Sequence, residues 1–287
     1  MLAFYINLDR RTDRRAFMEE QLVALGLDIQ RLPATTPDTL TSNDIAPLSL
    51  AAIGETMSPV EVAISVSHFR AWKHMFDEGR DHVLVIEDDH KLSSRLAAFL
   101  TDFDWKKPDV GLLRLEAQLC SVRLRRWAEP GPLGTSLYMP VGYQTGAGAY
   151  IISADYARRI LSSPKRFAMP VDDILYSPRS PFRDVKRIRC TVPGMAIFRW
   201  ESSPEFDVPE SILISDAQPS RGKRQQDEKK RSRPPLRERI GREILRLLRQ
   251  LANGPKPAWY WLWSKRMVVP FADSGVSAQQ SAVRRPG

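Results

Sequence analysis

The hydrophobic pattern changes period several times along the chain. Residues 2–8 (Leu-Ala-Phe-Tyr-Ile-Asn-Leu) form a nearly continuous apolar run of strand formers, the pattern of a strand covered on both faces. After the polar turn from Asp9 to Thr12, Met18, Leu22 and Leu25 recur at i, i+4 and i+7, and Gly26 follows as a stop. A short amphipathic helix is expected there, and Ile29 to Leu32 predicts a second strand. Strand, helix and strand at this spacing open an α/β fold. Residues 34–57 are rich in Thr, Pro and Ser and read as a long connection. Ser58-Pro59 then starts a helix with a hydroxyl cap and a first-turn proline. It carries Val62, Val66, Phe69, Trp72 and Phe76 along one side and ends at Gly79. The run Val83-Leu84-Val85-Ile86 is a buried strand that delivers Glu87-Asp88-Asp89.

Downstream, Val110 to Leu115 predicts a strand, Arg123 to Pro140 a loop region, and Gly142 to Ala149 a small-residue turn. Tyr150-Ile151-Ile152 follows, and Ala154 to Leu161 predicts a helix. The composition shifts after residue 204, and 216–235 reads as a flexible linker between a body (1–215) and a tail (236–287). In the tail, Leu236, Ile240, Ile244, Leu247, Leu248 and Leu251 form a helical stripe. Arg237, Arg239, Arg242, Arg246 and Arg249 lie opposite it, and Trp259-Tyr260-Trp261-Leu262-Trp263 comes soon after.

Charge follows the same division. Residues 221–287 hold 17 Lys and Arg against 5 Asp and Glu, a net of +12, whereas the first 220 hold 26 against 29, a net of −3. A basic amphipathic helix with an aromatic cluster has the composition of an interfacial anchor on an anionic membrane. Packing of the stripe on the body is the alternative. The charge comes with no nucleic-acid-binding motif, so no nucleic-acid partner is expected. The N-terminus has no basic segment with an apolar run, and no stretch approaches the ~20 apolar residues of a spanning helix. The expected location is cytoplasmic, peripheral on the inner face of the plasma membrane. Cys120 and Cys190, 70 residues apart and without a CxxC pair, read as two buried thiols in a reducing compartment.

Three acids in succession at a strand end repel one another unless a cation or a proton relieves them. A divalent ion does so, and Mn²⁺ or Mg²⁺ suits carboxylate and phosphate oxygens. The carboxyl end of a strand in an open α/β sheet is also where ligands bind. An acidic turn facing water is the other reading of the trio.

Three blocks favour the first of these readings. The first is Ile6-Asn7-Leu8-Asp9-Arg10 with Arg14-Arg15. The second is Glu61-Val62, Ser67-His68, Trp72 and Ile86-Glu87-Asp88-Asp89. The third is Thr145 to Ser153 followed by Pro170-Val171-Asp172. In this order and spacing the chain resembles glycosyltransferase family 25, which includes lipopolysaccharide biosynthesis transferases and collagen galactosyltransferases. The resemblance implies a GT-A-like nucleotide-sugar-binding fold, with a central mainly parallel sheet flanked by helices. It also implies a UDP-sugar donor, usually UDP-galactose, a saccharide or glycolipid acceptor, inversion at the anomeric carbon and a divalent metal, Mn²⁺ before Mg²⁺. One stretch departs from the family. Where the pattern is commonly Gly-Glu-Ile-Gly-Cys, this chain has Val60-Glu61-Val62-Ala63-Ile64. That departure motivates a second reading, a non-catalytic sugar-nucleotide or glycan-binding module.

Under the resemblance, Asp89 and Glu87 are the expected metal ligands. Asp88, on the other face of an extended segment, is a nucleotide-sugar contact with Asn7, Arg14, Glu87 and Thr145. Asn7 would meet base or ribose and Arg14 the phosphates. His68 would touch phosphate or acceptor. Asp172 is the expected base for the acceptor hydroxyl, with a third metal ligand as its other role.

Overall fold

The structure is a computed structural model that describes residues 1–54, 56–105, 109–198 and 262–274. In chain order the elements begin with β1 (Leu2–Asn7), α1 (Thr12–Leu25), β2 (Gln30–Pro33), α2 (Ser42–Ile45), α3 (Leu50–Gly54), α4 (Pro59–Asp77), β3 (His82–Glu87), β4 (His90–Leu92) and α5 (Leu96–Asp102). They continue with β5 (Leu112–Arg114), β6 (Gln118–Pro130), β7 (Ser136–Pro140), β8 (Ala149–Ser153), α6 (Ala154–Leu161), α7 (Val171–Tyr176), β9 (Ile188–Val192), β10 (Ala196–Phe198) and β11 (Ser264–Val269).

A nine-stranded sheet with order β11-β6-β7-β9-β5-β8-β3-β1-β2 forms the middle layer. Strands β1, β2, β3, β5, β6 and β9 run one way and β7, β8 and β11 run against them. Parallel pairing is confined to β2-β1-β3 and β5-β9, so the sheet is more mixed than a βαβ opening suggests. Both faces are covered, which is why β3 reads as an unbroken apolar run. Val83 and Val85 pack with Trp72, Val66 and Tyr150 beneath α4, α6 and α7. Leu84 and Ile86 pack with Met18, Leu22, Leu96 and Phe99 beneath α1 and α5.

Local signals explain the element ends. Gly26 adopts the left-handed conformation (φ 62°) and closes α1, as a glycine does at a helix C-terminus. Ser58 and Glu61 form a reciprocal capping box at the start of α4, so Glu61 is engaged in starting that helix.

Four sequence expectations change. The region 123–140 is not a loop but most of β6 and β7. Val122 and Leu124 face a small core with Val192, Met267 and Val269, while the intervening arginines obscure the strand period. The connection over 34–57 contains α2 and α3. Cys120 is exposed on β6, and only Cys190 is a buried thiol, its pKa pushed up to about 11 by burial. Finally, Ser264–Val269 pairs with β6 as β11, so these residues, expected in the tail, complete the sheet of the body. The helical stripe from Leu236 to Leu251 lies outside the described residues. Among the described residues no helix is long and apolar enough to cross a membrane.

Candidate active site

The ends of β1, β2, β3 and β5 and the start of the opposed strand β8 meet at one edge of the sheet. They surround a cavity of about 710 Å³. That is the size of a small-molecule cleft (roughly 300–1,000 Å³) at the edge where open α/β sheets bind ligands. Arg14, His68, Glu87, Asp88, Asp89, Thr145 and Asp172 all line it, so seven of the eight expected site residues converge although they span most of the body. Asn7 is the exception. It is buried beneath the wall, donating from Nδ2 to Asp88 Oδ2 (2.7 Å) and accepting from Arg31 Nε at Oδ1 (2.9 Å). It holds a wall residue and does not line the cavity.

The trio straddles the end of β3, with Glu87 its last residue and Asp88 and Asp89 in the turn that follows. Asp88 turns under α1, where Arg14 Nη1 lies 2.9 Å from its Oδ1. Burial, then the neighbouring charge of Asp89, pushes the Asp88 pKa up to about 6 against the pull of Arg14 and Asn7. Glu87 and Asp89 turn toward His90, and the three residues present ligand atoms within 4.8 Å of one another. The two carboxylates suit Mn²⁺ or Mg²⁺, and His90 would complete the set on giving up its extra ring proton, so these side chains fit the divalent ion implied by the sequence.

His90 was not expected. Its signal was adjacency: it directly follows the trio and opens β4, whose partner β10 brings in Phe198. Burial disfavours its charged form. Hydrogen bonds and charge from Asp89 (Nδ1 to Oδ1, 3.1 Å) and Glu116 override this and raise its pKa to about 10. Glu116 and Arg114 also went unrecognised, although alternating charges inside the apolar run Leu112 to Ala117 marked them. Both are buried and ion-paired, and both line the cavity. Burial raises the Glu116 pKa, but the charges of Arg114 and His90 and the backbone N–H of Gly148 hold it below the usual range.

The small-residue turn has its explanation here. A Cβ on Gly148 would overlap His90 Cε1 and Nε2 and come 2.8 Å from Glu116 Oε1. The N–H groups of Gly148 and Ala149 both donate to Glu116. The close approach is therefore between backbone and Glu116, and the carbonyl of Thr145 is bound by Arg114 and Gln118.

His68 is buried on α4 beside Glu87. Tyr150 Oη lies 2.9 Å from His68 Nδ1 and also accepts from Trp72 Nε1 at 2.9 Å. On the other side of the ring, His68 Nε2 stands 3.4 Å from Glu87 Oε1. A buried chain from Trp72 through Tyr150 and His68 therefore ends on Glu87. Asp172 sits half-buried in the first turn of α7, just after Pro170, and lines the cavity.

Val60, Ala63 and Ile64, the side chains that stand where the resembled pattern has Gly, Gly and Cys, all line the cavity. The departure in α4 therefore alters the wall of the site and not a remote contact.

Comparison with known proteins adds the family. Human procollagen galactosyltransferase 2 is 24% identical over 185 residues, covering 60% of this chain and 29% of that protein. A human protein named inactive glycosyltransferase 25 family member 3 is 28% identical over 185 residues, covering 60% of this chain and 30% of its own. The chain thus spans about 30% of the length of the curated relatives it matches. A solved glycosyltransferase involved in glycosylation of the PBCV-1 major capsid aligns over 70% of this chain and 93% of its own, at 10% identity and a TM-score of 0.38. The sequence model described as glycosyltransferase family 25 (LPS biosynthesis protein) matches residues 1–175, and the chain belongs to that family.

Proposed function

We propose that the protein is a metal-dependent, inverting glycosyltransferase of GT-A type. It moves a hexose, galactose first, from a UDP-sugar to a cell-surface glycolipid or polysaccharide. The observation that carries this reading is the convergence of Glu87, Asp89 and His90 on one wall of the cavity at the carboxyl edge of the parallel strands.

Each residue then has a task. Glu87, Asp89 and His90 would hold the ion, and a bound Mn²⁺ or Mg²⁺ supplies charge that stabilises a departing diphosphate. Arg14 and Arg114 offset the carboxylates, so that an anionic donor is tolerated beside Asp88, Asp89 and Glu116. Thr145 and its neighbours border the sugar. Asp172 takes the proton of the acceptor hydroxyl while that oxygen attacks the anomeric carbon opposite the leaving diphosphate, which inverts the centre. His68, held at Nδ1 by Tyr150 and facing Glu87 across 3.4 Å, positions Glu87 and leaves the base role to Asp172. The basic segment 236–251 would hold the enzyme on the anionic inner face of the plasma membrane, within reach of a glycolipid.

A second reading has a specific motivation. Val60, Ala63 and Ile64 narrow a wall where the family pattern has smaller residues, and one matched relative is named inactive. This would make the chain a binding module without turnover.

Titration calorimetry of UDP-galactose with and without Mn²⁺, with donor hydrolysis followed in parallel, separates the readings. Metal-dependent binding with hydrolysis supports the enzyme, and metal-dependent binding without turnover supports the module. Absence of binding to any UDP-, GDP- or CMP-sugar sinks both. Asp89→Asn is expected to abolish metal-dependent binding with the far-UV circular dichroism unchanged. Full transfer by this variant would end the metal assignment.

A further inference from the structure

Strand β4 presents His90 to the acidic wall, yet it is three residues long and lies outside the nine-stranded sheet. Among the described residues its strand partner is β10 alone, with His90 opposite Phe198 and Leu92 opposite Ala196. Backbone groups along a strand face its two edges alternately, so those of His90 and Leu92 share one edge and those of Lys91 take the other. A side chain of α1 closes the edge that His90 and Leu92 share. Gln21 Nε2 donates to the His90 carbonyl at 3.2 Å, and Gln21 Oε1 accepts from the Leu92 N–H at 2.8 Å.

A primary amide carries the donor and acceptor of a peptide group, so Gln21 stands in for one residue of a neighbouring strand. It also donates to the Phe17 carbonyl (3.3 Å), which ties the side chain to its own helix. His90 and Leu92 are both buried, where a backbone group that loses its partner is costly. Gln21 follows Arg14 by seven residues, two helical turns, so both project from one face of α1. Arg14 takes Asp88 and Asp89, and Gln21 takes the strand that comes directly after them. One helix face thus holds both the carboxylates and the imidazole of the wall, although Gln21 itself does not line the cavity.

We propose, resting on the metal-dependent reading above, that Gln21 is a positioning residue for the divalent ion. By gripping β4 on both sides of Lys91 it fixes where the His90 imidazole stands relative to Glu87 and Asp89. Gln21 touches neither the ion nor the donor and acts through His90. Loss of an outer group that orients a metal ligand lowers metal affinity by roughly 10–100-fold. The effect of Gln21 on the ion therefore exists only while His90 is there to be placed.

The test uses the full chain, with Mn²⁺ binding measured by calorimetry in the presence of UDP. Gln21→Met keeps the length of the side chain and a good helix former but removes both hydrogen bonds to β4. It is expected to lose about tenfold in Mn²⁺ affinity. In a His90→Ala background the same change is expected to have no further effect, which a merely structural role would not produce. A second measurement needs no metal. The chain has four histidines, so the imidazole signals can be followed one by one by nuclear magnetic resonance. Gln21→Met is expected to move the His90 signal and leave those of His68, His74 and His82 in place. An unmoved His90 signal overturns the proposal, and so does a loss of Mn²⁺ affinity that persists without His90. Wild type that binds no Mn²⁺ while the His90 signal still moves overturns the metal reading itself, and the role at the ion falls with it.

Discussion

Arg14 Nη1 lies 2.9 Å from Asp88 Oδ1 and 3.2 Å from Asp89 Oδ2, a buried link that ties helix α1 to the end of strand β3. One guanidinium answers two adjacent carboxylates, so the wall of the site depends on it. Replacing Arg14 by Ala leaves buried charge uncompensated and is expected to cost about 3–5 kcal/mol in urea unfolding. Adding Asp88→Asn removes much of that charge, so the double variant should recover part of the loss. A strictly additive cycle would show that the pair is not coupled.

Gly148 is expected to tolerate no side chain. In Gly148→Ala the new methyl meets His90 and Glu116, and displacing them costs about 1–3 kcal/mol by overpacking. The ligand wall moves with His90, so metal-dependent donor binding should fall further than the loss of stability explains. Calorimetry well below the unfolding midpoint measures this, and unchanged metal affinity would detach His90 from the metal site.

The apolar wall of α4 is a candidate for donor choice. Val60→Gly/Ala63→Gly restores the smaller residues and enlarges the cavity, at about 1 kcal/mol of helix stability per added glycine. Hydrolysis of UDP-N-acetylhexosamines relative to UDP-hexoses is expected to rise about fivefold, the scale of one hydrophobic-pocket change. An unchanged ratio would remove these side chains from donor selection.

Away from the site, Arg187 Nη1 lies 2.5 Å from Asp155 Oδ2 and Nη2 lies 2.6 Å from Asp109 Oδ1. The hydrogen bond from Arg187 lowers the Asp155 pKa from 3.8 to about 2. A depressed carboxylate contributes stability that is present above its unfolded pKa and lost as pH falls through the folded one. Asp155→Asn should therefore be less stable than wild type at neutral pH, by no more than about 1 kcal/mol because the pair is solvent-screened. The difference should close between pH 4 and pH 2, read from unfolding midpoints across that range. A gap constant over this window would assign the effect to packing and not to charge.

The local elements were legible where apolar period and punctuation agree. Val83 to Ile86 read as a strand covered on both faces, Ser58-Pro59 as a helix start and Gly26 as a helix stop, because backbone sterics and capping are local. The trio at Glu87 to Asp89 was legible for the same reason: a buried strand ending in charge is costly without a partner. Strand β6 was not legible. Arg123 and Arg125 alternate with Val122 and Leu124, but Arg126 breaks the period, and only pairing with β7 and β11 makes such a stretch a strand.

Sequence alone determined the α/β opening, the acidic wall and the family, since each rests on neighbours within a turn or on ordered motifs. Tertiary structure decided which side chains share the cavity. It drew Asn7 under Asp88, added His90, Glu116 and Arg114, and returned Ser264–Val269 to the far edge of the sheet from beyond the expected linker. The physical reason is that hydrogen bonds and ion pairs across long sequence separations depend on strand order, and no local pattern along the chain encodes that order.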